Sequence, residues 1–306
     1  MCGKYNTFDS MVLEFLRRKY GLQLLMFLIV AVLCWLFFQI IGIVILLSFA
    51  DISLAELAQI NEFKQNENGY FILFTLLITQ SIGLFIAPSL IFTRLIKEPN
   101  DPFLPFTAKK LGRFILLLPI FVIAGIVIVS FMGELNMKLN LPQYFHDMED
   151  QATETIEYLL SFNSTTQIIT TTLLMAVVPA IGEELFFRGI IQKILVKWTK
   201  SNWQAILITA FIFSAIHFQF LTFLPRFFMG IMLGYLLVWS RSLWVPILAH
   251  FLHNFISIII GTQTIEHKID APEAINHWLV FGSTIILIVV SYWYYSTYKK
   301  YYVPED

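Results

Sequence analysis

Two adjacent glutamates, Glu183 and Glu184, interrupt an apolar stretch that runs from Met175 to Gly189, and Arg188 follows Glu184 four residues later. Two later apolar stretches are interrupted in the same way. One carries His217, in Phe213-Ser-Ala-Ile-His217, and the other carries His250, His253 and Asn254, in Pro246-Ile-Leu-Ala-His250-Phe-Leu-His253-Asn254. A charged side chain at the middle of a spanning helix costs about 2.5–3.5 kcal/mol on insertion scales, so such residues call for a functional explanation. Carboxylates and imidazoles are the groups that most often move protons in reactions. The chain is expected to do chemistry inside a membrane.

On a helix, Glu184 and Arg188 share a face and can pair, which offsets the cost of holding each charge in low dielectric. Glu183 then lies about 100° round the helix and is left to face elsewhere. His250 and Asn254 again share a face, with His253 close to it. A proline precedes each cluster by four residues, Pro179 before Glu183 and Pro246 before His250. Proline removes a helical hydrogen bond and can open room for water beside a polar group.

The elements that must carry these groups are membrane helices. The chain is 58% hydrophobic and 13% charged, with a mean hydropathy of +0.73. A soluble domain is about 25% charged, so the composition belongs to the membrane class and no nucleic-acid partner is expected. Cys2 and Cys34 have neither metal-type spacing nor the number for a disulfide framework. Stretches near spanning length lie at about 22–49, 70–95, 112–132, 167–191, 203–219, 224–240, 243–261 and 277–297. The predicted fold is therefore all-α: a polytopic bundle of about eight transmembrane helices. Charge placement supports that count. With the N-terminus inside, only Lys64, Lys138, Arg226 and Lys268 of the 20 basic residues fall in outer segments, as the positive-inside rule requires, and both termini are cytoplasmic. At 1.5 Å per residue, Glu183, His217, His250 and Asn254 lie at overlapping depths, about 12–22 Å from the inner edges of their spans. A substrate is then expected from the cytoplasmic side.

Three regions follow. Residues 1–166 hold an N-terminal amphipathic segment (Phe8, Met11, Val12, Phe15 and Leu16, ending at Arg17-Arg18-Lys19), three spans and an acidic outer loop. Residues 167–261 hold the polar clusters, and 262–306 hold the last span and tail. Within the outer loop, Met148, Ala152, Ile156, Leu159 and Leu160 have helical spacing, which suits either a helix on the outer membrane surface or one packed on the bundle.

The three clusters resemble the motifs of the CAAX-protease and bacteriocin-processing (CPBP, or Abi) membrane proteins. The residues that carry the resemblance are Glu183-Glu184-x-x-x-Arg188 within Glu-Glu-Leu-Phe-Phe-Arg-Gly, Phe213-x-x-x-His217 and His250-x-x-x-Asn254. It covers about residues 167–258. The resemblance implies an eight-helix intramembrane endopeptidase of a bacterial cytoplasmic membrane, acting on a lipidated (CAAX-like, prenylated) or hydrophobic peptide or protein. Carried over, Glu183 would activate water with help from His217, His250 and Asn254 would stabilise the oxyanion, and Glu184 and Arg188 would orient the site. The family has also been called a metalloprotease, and Glu183, His217 and His250 could supply three ligands to a divalent metal such as zinc. The His-Glu-x-x-His zinc signature is absent, and a Glu with a His suffices to activate water, so no cofactor is favoured. Two other classes compete: a non-proteolytic scaffold or bacteriocin-immunity protein using the same polar cluster for binding, and a proton-coupled transporter, against which stands the lack of paired repeats.

Overall fold

The computed structural model describes residues 19–50, 52–54, 68–96, 103–107, 111–161, 164–267 and 275–303. The N-terminal amphipathic segment expected before Lys19 lies outside them. The described residues are helical, with no strand among them. In chain order the main helices are α1 Tyr20–Phe49, α2 Gly69–Leu95, α3 Leu118–Met137, α4 Gln143–Leu160, α5 Thr165–Thr199, α6 Asn202–Ala215, α7 Phe223–Ser240, α8 Trp244–His267 and α9 His277–Tyr302. Seven of these, all but α4 and α6, are long and apolar enough to cross a membrane. The chain is an integral, multi-pass membrane protein.

Two of the expected spans change on inspection. The third does not run unbroken from 112. A short helix, Leu111–Leu116, stops before α3 because Pro119 has no N–H to give to the carbonyl four residues back. The fifth, α6, has 14 residues and so is about 21 Å long, short of the roughly 30 Å hydrocarbon core. Its chain turns at Ile216 and His217, with Phe218 in the left-handed region, φ 55°. Non-helical backbone at membrane depth is tolerated only where it is buried in protein or lines a wet cavity.

The bundle follows from what lipid and protein each accept. On α1, Phe27, Ala31 and Leu46 are buried, whereas Leu25, Ile29, Leu33, Phe37 and Ile40 face outward as apolar side chains. Helix association here cannot rest on the hydrophobic effect and depends on close packing. Phe27, Phe92, Phe186, Phe187 and Phe213 supply that packing around α5. α7 brings Gly230 and Gly234, a small-xxx-small pair, against α6. A Cβ at Gly230 would lie 2.9 Å from Ala210, and one at Gly234 would lie 2.9 Å from Ile206. The same glycines expose carbonyls that α5 uses: Arg188 Nη2 donates to Gly230 O at 3.1 Å and Gln192 Nε2 to Gly234 O at 3.2 Å.

α4 packs on the bundle. It contacts α8 and the turn Phe220–Thr222, with Phe145 against Phe220 at 4.8 Å and Thr222 Oγ1 donating to Glu149 at 3.0 Å. Its Asp147, Asp150, Glu154 and Glu157 are exposed. At the other end of the molecule are the α5–α6 corner, with Lys193, Lys197 and Lys200, and the α7–α8 corner, with Arg241.

Candidate active site

α5 is where the helix is least regular. It contains two wide, π-type stretches, Leu173–Val177 and Glu184–Ile191, with a regular turn between them that ends on Glu183. Such insertions gather at functional sites because they leave carbonyls free and re-aim side chains. One freed carbonyl has a specific cause. Pro179 cannot donate to Met175 O, and Asn254 Nδ2 of α8 donates there instead, at 3.2 Å. The proline seen in the sequence thus sets up the docking of Asn254.

Behind Glu183 lies a fully buried ion pair. Arg188 Nη1 stands 2.8 Å from Glu184 Oε1, and both residues have no solvent exposure. The same Oε1 receives His250 Nδ1 at 2.9 Å. A carboxylate can only accept, so His250 carries its proton on Nδ1 and turns Nε2 toward Glu183, 3.9 Å from Oε2. Arg188 also lies over the Phe213 ring at 4.7 Å. That ring is the common wall of both histidines, 5.3 Å from His217 and 6.1 Å from His250.

His217 follows the end of α6, where the last carbonyls lack helical donors. His217 Nδ1 meets one of them, Phe213 O, at 2.8 Å. A carbonyl also only accepts, so the proton sits on Nδ1 and the neutral ring keeps a lone pair on Nε2. Nε2 is therefore a base site.

Glu183, His217, His250, His253 and Asn254 line one cavity of about 850 Å³. Met148, Ala152 and Ile156 of α4 line it too, with Gln80 of α2 and Gln219 and Arg226 at the start of α7. Glu184 and Arg188 stand behind it. All the residues singled out in the three clusters therefore meet in one place. The cavity is walled by α4, at the end of the bundle opposite Lys193, Lys197 and Arg241. α5 runs on to Thr199, which puts Glu183 about 24 Å along the helix from that basic end. A second cavity of about 880 Å³ opens at that end between Lys193, Arg241 and Tyr302, and of the cluster residues only Arg188 reaches it.

Three features of the site were not read from the sequence. Arg226 was counted as an outer loop charge, although it stands three residues into the apolar run that forms α7. Its place there was the available signal. The ring of Phe213 and the carbonyl of Met175 gave no signal of their own beyond the motif and the proline.

Among the described residues no three His, Cys, Asp or Glu side chains are grouped to hold a metal. His217 Nδ1 and His250 Nδ1 are each committed to an acceptor, and of the remaining donors His250 Nε2 lies 3.9 Å from Glu183 Oε2.

Residues 165–256, from the start of α5 to the middle of α8, match the family described as type II CAAX prenyl endopeptidase Rce1-like. The match covers the three clusters and is consistent with the resemblance to CAAX-protease and bacteriocin-processing proteins. No curated protein and no solved structure matches the chain.

Proposed function

We propose that the protein is an intramembrane endopeptidase that hydrolyses a peptide bond in a lipidated or hydrophobic peptide. The observation that carries this reading is the pairing, in one cavity, of the Glu183 carboxylate with a His217 ring whose Nε2 is free to accept a proton. Water held between them loses a proton to Glu183 and attacks the scissile carbonyl carbon. The carbonyl π electrons move to oxygen. The oxyanion is met by His250 Nε2, when that nitrogen is protonated, and by the second amide hydrogen of Asn254, the first being given to Met175 O. Collapse of the intermediate breaks the C–N bond, and the proton taken from water passes to the leaving amine. Glu184, fixed by Arg188, keeps the His250 ring in one tautomer and orientation. No step uses a metal.

The basic residues gather at the α5–α6 and α7–α8 corners, and the acidic side chains at α4. By the positive-inside rule we assign the basic end to the cytoplasm, which turns the cavity toward the outer face.

The test uses purified protein in liposomes with a panel of prenylated and unlipidated hydrophobic peptides, products being identified by mass spectrometry. The expected result is cleavage by the parent and by chelator-treated protein, and none by Glu183→Ala or His217→Ala. Equal cleavage by those variants, or loss on chelation with recovery on adding zinc, contradicts the mechanism.

A further inference from the structure

The cavity at the basic end, of about 880 Å³, is used by no step of the proposed hydrolysis. Its size falls within the range of about 300–1,000 Å³ for small-molecule sites. One wall is the segment 103–107, strapped to the α7–α8 corner by Leu243 N–H donating to Pro105 O at 2.7 Å and Ser242 Oγ to Phe106 O at 3.3 Å. Most of the remaining lining comes from α5, α7 and α9.

The charge of that lining has one sign. Arg241 and Lys193 contribute to it, and among the described residues no Asp or Glu does. The Arg241 guanidinium lies over the rings of Tyr302 and Tyr298, 5.4 and 5.7 Å from their centres. Stacking fixes the plane of the guanidinium and leaves its N–H edges for an anion. Among the described residues no carboxylate takes them. Two buried side chains complete the lining, Gln192 at 2% exposure and Arg188 at 0%. Each makes bonds within the bundle, and each keeps one atom without a partner: Gln192 Oε1, an acceptor, and Arg188 Nε, a donor. Buried polar atoms are seldom left so, and the cavity beside them is where a partner would sit. A hydroxyl can serve both, because it donates and accepts.

The depth of the cavity narrows the ligand further. The exposed indoles of Trp198, Trp203 and Trp244 stand at the α5–α6 and α7–α8 corners, and Phe106 of the cavity wall packs on Trp244 at 5.4 Å. Indoles gather at the headgroup level of a bilayer, so the mouth of the cavity lies where lipid phosphates are.

We propose that this cavity seats the headgroup of an anionic phospholipid from the surrounding leaflet. The phosphate docks on the Arg241 fork, hydroxyls of the head meet Gln192 Oε1 and Arg188 Nε, and the chains leave past Phe106 and Trp244 into the bilayer. The lipid is a bound component of the membrane and not a substrate, so the proposal stands apart from the hydrolytic reading.

The test uses the full chain in detergent micelles, with bound lipid counted by native mass spectrometry. The probes are dioleoyl phosphatidylglycerol, dioleoyl phosphatidylcholine and dioleoyl phosphatidylethanol, the last keeping the charge of phosphatidylglycerol and losing its hydroxyls. Phosphatidylglycerol binds once per chain, about tenfold or more tighter than phosphatidylcholine, with phosphatidylethanol between them. Arg241→Asn removes the preference. Asparagine suits the left-handed backbone at this position, φ 54°, so the unfolding midpoint stays near that of the parent. Val238→Trp fills the cavity without changing any charge and removes binding as well. Lys299→Gln, which alters a basic residue at the same end outside the lining, keeps the preference. Equal binding of phosphatidylglycerol and phosphatidylcholine overturns the proposal, and so does an equal loss in Lys299→Gln, the mark of a merely basic surface. Phosphatidylethanol binding as tightly as phosphatidylglycerol overturns the role given to Gln192 and Arg188. Displacement of the lipid by inorganic phosphate at equal concentration overturns the lipid as the source and gives the cavity to a soluble phosphate.

Discussion

Glu184 carries more of the site than its place beside Glu183 suggests. One of its oxygens takes both the Arg188 guanidinium and the His250 ring, and among the described residues it is the carboxylate in direct contact with that arginine. Removing one member of a buried pair leaves an uncompensated charge and costs about 3–5 kcal/mol. Arg188→Ala is therefore expected to lower the unfolding midpoint in detergent sharply. The double variant Glu184→Leu/Arg188→Leu replaces both charges with apolar groups and should recover most of that stability. It should not recover cleavage, because His250 loses the acceptor that sets its tautomer. A double variant as unstable as the single one would show that the pair is not what the interior is built around. The Glu184–Arg188 pair was legible in the sequence, since spacing of four on a helix fixes it. The sharing of that carboxylate with His250 was not, because no local spacing reports which face of α8 turns toward α5. Arg226 was legible in principle, since it falls inside the apolar stretch 224–240, and was passed over because it was counted with the outer-segment charges.

At the scale of elements, the sequence announced the helices better than their regularity. Hydropathy places eight apolar stretches, and all eight contain helices, because apolar length is what lipid demands. Hydropathy does not say where a helix stops inside the membrane. α6 ends early, at Ala215, and the non-helical backbone after it brings His217 and Gln219 to the cavity. The wide turns of α5 were visible only through Pro179, since nothing else in the composition marks them. The close approach of α6 and α7 depends on Gly230 and Gly234, which lack the Cβ that would collide with Ala210 and Ile206. Gly230→Leu is expected to cost about 1–3 kcal/mol, the range for overpacking, and to lower the thermal midpoint. It should also weaken cleavage, as Arg188 loses its place against the Gly230 carbonyl. Gly282, where nothing stands within 4 Å of an added Cβ, is the control: Gly282→Leu should leave both unchanged.

Over the whole molecule, charge and cavity are arranged end to end. Lys193, Lys197, Lys200 and Arg241 mark one end, and the acidic surface of α4 marks the other, with the cavity that holds Glu183 and His217 opening beneath it. In cells carrying a single added cysteine in a background lacking Cys2 and Cys34, a membrane-impermeant maleimide should label Glu154→Cys from outside and Lys200→Cys only after permeabilisation. The reverse pattern would invert the bundle and turn the cavity to the cytoplasm. The account as a whole rests on Glu183 acting as the base. The most direct measurement is the initial rate of peptide cleavage by Glu183→Gln against the parent, at matched amounts of folded protein in the same liposomes. The side chain keeps its shape and loses only its basicity, so the rate should fall by about a hundredfold or more. A Glu183→Gln protein that cleaves as fast as the parent would contradict the mechanism.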